Sequence, residues 1–307
     1  MNELKIDNFL KLLDIRQTDF PLESQKIIHL EDFRFREIEG AEKDKIILHI
    51  LQRLDKKDFW ISGADKQHIW EKGWEENLKT FRTTKNISSL IPKFVQREPV
   101  LRLDSKFIKP FSNSFEFNFV NVYRHWLFSE FFKNVRKIYE FGCGSCQHIP
   151  VLVNLYPDKE IHGLDWAASS LELIRCLKNE MGWNIIGHRF NLFQPDATLD
   201  LDADCGVFTM GTMEQLGKDF VPFTSFLLEK RPSIVVNVET IHELYNPEIL
   251  TDYLAIRFDE SRSYLKGYLS YLKELEKDKK ITILKIQRVN FGSMFHDSYS
   301  LIAWTPR

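Results

Sequence analysis

Ile138-Tyr139-Glu140-Phe141-Gly142-Cys143-Gly144-Ser145-Cys146-Gln147 reads as a short buried strand that ends on an acid and breaks into a glycine-bearing turn. The apolar run Ile149-Pro150-Val151-Leu152-Val153 predicts a helix after the turn. About twenty residues beyond the turn, Ile161-His162-Gly163-Leu164-Asp165 predicts a second buried strand, again ending on a carboxylate. This order suits a nucleotide-like cofactor. The backbone at the first strand's tip approaches the ligand, and the acid at the second reaches ribose hydroxyls. Glycines at 142 and 144 remove Cβ atoms where the turn passes the ligand.

Glu140 decides which cofactor. A turn built for pyrophosphate would not place a carboxylate beside the phosphates, because like charges repel there. An acid at that point suits a ligand with a cationic amino acid moiety. In Glu140, Gly142 and Gly144 the chain resembles the class I S-adenosylmethionine-dependent methyltransferases, whose first motif is an acid followed by three alternating glycines. Cys146 stands where the third glycine would be, small enough to fit. The resemblance implies S-adenosyl-L-methionine as cofactor, with Glu140, Gly142, Cys143 and Gly144 in the first-strand turn against it. It also implies Asp165 on the ribose hydroxyls and Trp166 flanking the adenine.

From residue 137 onward strand and helix patterns alternate. Strands are predicted at 137–141, 160–164, 185–190, 204–210, 233–239, 280–288 and 297–304, with helices at 147–156, 168–181, 213–217, 220–230 and 247–276. Such alternation predicts a parallel sheet with helices on both faces. The last two strands are joined by only about eight residues, too few for a helical crossover, so they run antiparallel. The expected class is α/β: a seven-stranded, mostly parallel Rossmann-like sheet with an antiparallel last strand, plus a helical N-terminal region. Residues 1–117 are expected to form a mainly helical accessory or lid region with a connector, and 118–307 the methyltransferase domain.

Residues 1 to about 100 show helical spacing at Asp7–Leu13, Ala41–Leu54 and Trp70–Phe81, without a strand-turn-helix rhythm. Tryptophans gather at Trp60, Trp70 and Trp74, either as a small aromatic core or as a wall or lid over a pocket. The connector holds Pro92, Pro99 and Pro110, with a short strand around Val100-Leu101-Arg102. An amphipathic helix is predicted over Asn118–Asn134, where Tyr123 and Arg124 face either the cofactor's carboxylate or solvent.

Ligands of an open parallel sheet sit beyond the carboxyl ends of its strands. After the third predicted strand come Asn191 and Leu192. The resemblance puts Asn191 on the adenine amino group; the alternative is an Asx turn. After the fourth come Thr209 and Met210, whose backbone is placed against the cofactor, then Glu214 and Gln215, which reach either ligand unless Glu214 is only a first-turn acid. After the fifth come Glu239, His242, Glu243 and Tyr245; the hairpin before the last strand brings His296. Methylating a hydroxyl requires alignment and removal of its proton, which suits an imidazole. His242 and His296 are therefore the candidate bases, with Glu239 or Glu243 to orient them or to hold acceptor hydroxyls; either histidine can instead merely satisfy its loop.

The net charge of −2 and the absence of a basic run give no default nucleic-acid or anionic-membrane partner. The first residues lack the apolar core of a signal peptide and no run reaches membrane-spanning length, so a cytoplasmic protein is expected. Cys143 and Cys146 have the spacing of a redox pair or half a zinc site, yet no second pair completes it, and the turn explains the segment without that chemistry. Asp200, Asp202 and Asp204 precede the fourth strand on the wrong edge for catalysis, and no metal is expected. The functional expectation is methyl transfer to a small molecule or sugar, at oxygen, with no nucleic acid partner. The rivals are a nicotinamide-dependent oxidoreductase on a similar sheet and a non-catalytic S-adenosylmethionine-binding module.

Overall fold

The computed structural model describes residues 1–96 and 100–307, so Pro99 of the connector lies outside the described residues. The chain begins with β1 (Asn2–Glu3), α1 (Ile6–Leu13), α2 (Leu22–Leu30) and β2 (Arg34–Glu37), followed by two long helices, α3 (Gly40–Lys56) and α4 (Gln67–Thr84). β3 (Leu101–Leu103) and β4 (Lys106–Pro110) precede α5 (Phe115–Phe131). Strand and helix then alternate through β5 (Lys137–Phe141), α6 (Ile149–Leu155), β6 (Glu160–Asp165), α7 (Ala168–Met181), β7 (Ile185–Arg189), β8 (Cys205–Met210), α8 (Val221–Lys230) and β9 (Ile234–Glu239). After α9 (Leu250–Arg262) and α10 (Tyr268–Lys277) come β10 (Ile281–Gln287), β11 (Phe291–Ser293) and β12 (Ser300–Pro306).

The large sheet has seven strands in the order β10-β12-β9-β8-β5-β6-β7. β5 through β9 pair in parallel, and β12 is antiparallel to both of its neighbours. The expected mostly parallel sheet with a reversed last strand is what forms. Its central strands are buried on both faces, which is why they read as nearly continuous apolar runs. Successive residues of β5 feed opposite cores: Ile138 joins Phe208 and Val236 on one face, while Tyr139 and Phe141 join Val207 and Val235 on the other. Each such buried side chain contributes roughly 1.5–3 kcal/mol by removal from water. The chain winds outward from β5 to β7 and then returns to β8 on β5's other side. The order therefore reverses between β5 and β8, opening a crevice beyond their carboxyl ends. Glu140 and Met210 sit at those two tips.

Three expectations need correction. The N-terminal helices are present, but residues 1–117 also build most of a second, five-stranded sheet in the order β1-β2-β4-β3-β11. Only β3 was foreseeable, around Val100–Arg102. β11 lies inside the connection before the last strand and pairs antiparallel with β3, so that connection is more than a hairpin. Finally, the single helix expected over 247–276 is two, because Ser263 (φ 53°) and Gly267 (φ 89°) take left-handed backbone at the break. Among the described residues, no helix is long and apolar enough to cross a membrane.

Candidate functional site

The turn after β5 keeps the shape its glycines suggest. Gly142 has φ +76° and Gly144 φ +50°, both in the left-handed region. A Cβ on Gly142 would stand 2.2 Å from the Thr212 side chain, and one on Gly144 would stand 2.9 Å from the Trp74 ring. Cys146 holds φ +64° without being glycine, with Sγ buried 3.7 Å from the Ser170 carbonyl. Gly142→Ala is expected to lower stability by about 1–3 kcal/mol, from left-handed backbone plus the collision with Thr212, read by urea unfolding. An unchanged midpoint would mean the turn relaxes freely.

Two acids meet at the strand tips. Glu140 is 2% exposed, lies on the cleft wall, and its Oε2 has no hydrogen-bond partner. Burial, reinforced by nearby Asp165, pushes its carboxyl well above the usual range, against the pull of Arg124. Asp165 accepts hydrogen bonds from the Gly144 and Ala167 N–H groups, both at 2.8 Å, so it fastens the glycine turn to the second strand's end. Burial nevertheless pushes it up to about 6. Each of its oxygens retains a second lone-pair direction for a hydroxyl donor. Arg124 is buried behind the turn, where it donates to the Gln147 carbonyl at 2.8 Å. His148, unforeseen in the sequence, has Nε2 4.0 Å from Glu140 and a partnerless Nδ1.

Helix α4 roofs this crevice. It lies along α7 through the Arg82–Glu172 and Lys85–Glu180 ion pairs, while Glu71 accepts the Ala168 and Ser169 N–H groups that open α7. Gln67 donates to the Trp166 carbonyl at 2.9 Å. Trp70 and Trp74 stack at 5.5 Å and divide the space beneath. On one side is a recess of about 70 Å³ lined by Asp165, Trp166, Leu192 and Phe193, with Trp166 stacked on Phe193 at 5.6 Å. On the other is a cleft of about 820 Å³ that runs from Glu140 and the glycine turn to His296. Asn191 makes an Asx turn, its Oδ1 accepting from the Phe193 N–H at 3.0 Å.

The far end of the cleft holds a charge-supported histidine. His296 Nδ1 lies 2.8 Å from Asp259 Oδ1. Burial alone would lower His296, but the Asp259 carboxylate outweighs it and holds the imidazole above its ordinary value. Glu214 lines the same cleft; burial raises its carboxyl against the pull of His296 and Arg262. Beside it Gln215 donates to Glu214 and accepts from Ser62. The loop carrying His296 is braced by Arg102 and Arg288, which share Asp252 and Asp297.

Other candidates sit elsewhere among the described residues. Glu239 is fully buried and accepts the Thr212 and Glu214 N–H groups, both at 3.2 Å; burial, with Glu214 adding, pushes it up to about 8. It shapes the loop after β8 rather than lining the cleft. His242 faces Glu260 at 3.9 Å, Glu243 accepts from the Ser270 N–H, and Tyr245 bonds to Thr240 and the Asp297 backbone. None of these three lines the cleft. Thr209 is buried and accepts from Asn237, whereas Met210 reaches the cleft. Asp202 accepts from Tyr139 and Asp200 pairs with Lys230. Sequence reading missed Asp259 and Arg262. Their signal was a buried stripe with Ala255 and Phe258 on a helix otherwise rich in surface charge.

No family model matches the sequence, and no curated protein does. Solved structures similar to it include the small RNA methyltransferase HEN1, at 13% identity and TM-score 0.46; the match spans 61% of this chain and 25% of that one. A SAM dependent methyltransferase from Aquifex aeolicus matches at 16% identity and TM-score 0.40, over 58% of this chain and 89% of that one. Geranyl diphosphate C-methyltransferase from Streptomyces coelicolor matches at 9% identity and TM-score 0.45, over 65% of this chain and 86% of that one.

Proposed function

We propose that the protein is an S-adenosyl-L-methionine-dependent methyltransferase acting on a small molecule at oxygen. The observation that carries this reading is the buried carboxylate of Glu140 at the reversal point of the sheet, whose Oε2 has no hydrogen-bond partner. A buried anion without a partner is costly, and a ligand ammonium in the cleft relieves that cost. The glycine turn leaves room for close approach, Asp165 keeps acceptor capacity for ribose hydroxyls, and the Trp166–Phe193 pair offers a flat apolar wall for a base. The bound cofactor supplies an electrophilic sulfonium methyl group.

The chain's own part is to orient the acceptor and hold its proton. Asp259 fixes His296 with Nδ1–H donating to it, which leaves Nε2 to accept a hydroxyl proton from the cleft. Glu214 on the cleft wall, with the Gln215 amide donating to it, is assigned to position that acceptor, under a roof of Trp60, Trp70 and Trp74. A bound cofactor and acceptor displace water from this cleft, which strengthens each charge interaction within it.

Calorimetric titration of the full chain with S-adenosyl-L-homocysteine and, separately, with NAD tests the reading. Binding of the first and not the second is expected. Binding of NAD alone would replace the proposal with an oxidoreductase, and binding of neither would remove the nucleoside site.

A further inference from the structure

The face of α9 that presents Asp259 also presents Arg262, a cation that proton removal does not use. Arg262 is 9% exposed and lines the cleft. Its guanidinium carbon stands 4.1 Å from the Trp60 ring centroid and 4.7 Å from that of Tyr264. Rings stacked over a planar cation leave only its edge N–H groups for hydrogen bonding. Among the described residues those edges donate no hydrogen bond, no carboxylate lies within 4.0 Å of them, and Nε is buried without a partner. Glu214 attracts the guanidinium through space but spends itself on the Gln215 amide.

A basic residue in a helix's last turn is worth about 0.3–1 kcal/mol through the dipole, but that benefit needs no burial beneath two aromatic rings. A guanidinium covered on its face, with its edge donors open to the cleft, fits a planar oxyanion, which it grips with two parallel N–H groups. The guanidinium also lies 5.8 Å from the Phe258 ring, and His296 flanks Tyr264 at 5.7 Å and Phe258 at 5.0 Å, with Phe295 stacked on Phe258 at 4.7 Å. One aromatic wall thus runs from the cation to the base.

We propose that Arg262 binds a carboxylate on the methyl acceptor, so that the acceptor is a flat hydroxylated carboxylic acid lying along the Phe258–Tyr264 wall with its hydroxyl toward His296. This rests on the methyltransferase reading. Its test is calorimetric binding of 4-hydroxybenzoate and 4-hydroxycinnamate, each against its own neutral amide, to the full chain with and without saturating S-adenosyl-L-homocysteine. At least one acid is expected to bind about tenfold or more tightly than its amide, as a hydrogen-bonded charge pair provides. Arg262→Gln should erase that difference while leaving S-adenosyl-L-homocysteine affinity within about twofold, and Arg262→Lys, which keeps charge but not the fork, should retain part of it. Equal binding of acids and amides by the wild-type protein overturns the proposal, as does a glutamine variant that keeps the preference. Should the glutamine variant fail to fold, the wild-type comparison and the lysine variant still decide. Failure of the nucleoside to bind would remove the methyltransferase reading instead, and the acid–amide comparison without it still reports on Arg262.

Discussion

Glu140→Gln is expected to weaken binding of S-adenosyl-L-homocysteine about 10- to 100-fold, because it replaces a charge-assisted hydrogen bond to an ammonium by a neutral one. The change is nearly isosteric, so the glycine turn keeps its shape and the loss reports on charge. The pH dependence sharpens the test. Burial first, and Asp165 second, hold the Glu140 carboxyl well above the usual range in the free protein. The folded state therefore binds more protons than the unfolded chain at intermediate pH. By linkage, the free protein loses stability as pH rises from the unfolded glutamate value, about 4.3, through the raised folded value. Nucleoside affinity runs the other way and rises across that window, since the ligand's cation needs the ionised acid. The glutamine variant should lose both slopes. A variant that keeps wild-type affinity and pH dependence would mean that Glu140 never meets a cation.

His296→Ala is expected to lower turnover by roughly 10²–10⁴-fold with nucleoside affinity unchanged, the usual effect of losing a positioned general base. Asp259→Asn tests the pair without emptying the cleft. Nuclear magnetic resonance titration should find the wild-type imidazole above the ordinary histidine value, about 6.5, and the asparagine variant should bring it down. The base must be neutral, so the wild-type rate rises with pH through the raised value. The variant's profile shifts to lower pH with a lower plateau. The same pair stabilises the fold below the unfolded histidine value, and that contribution is lost as pH climbs through the folded one. A titration curve unmoved by Asp259→Asn would separate the two residues functionally.

The large sheet was legible because its central parallel strands are buried on both sides and its strands sit at regular intervals. The acids at the tips of β5 and β6 were legible because strand ends are fixed by the glycines and polar residues after them. The small sheet was not. Arg34-Phe35-Arg36-Glu37 carries one buried residue among four, too short a pattern to show an alternation. Its closing partner, Phe291–Ser293, lies far along the chain, and nothing local announces the pairing. His242 and His296 looked equivalent because both follow strands that end on the cleft side. Only packing separates them, turning one toward Glu260 and the other onto Asp259. Asp259 and Arg262 stayed hidden for a related reason: a charged residue on a helix declares itself functional only once the buried side of that helix is known.

The pairing of β3 with β11 also sets a timetable for the nascent chain. Once the ribosome has released Leu101–Leu103, that strand presents an open edge whose mate has not yet been made. That edge stays exposed until translation passes Ser293, and contacts that distant in sequence form slowly. The small sheet therefore stays incomplete until the later segment arrives.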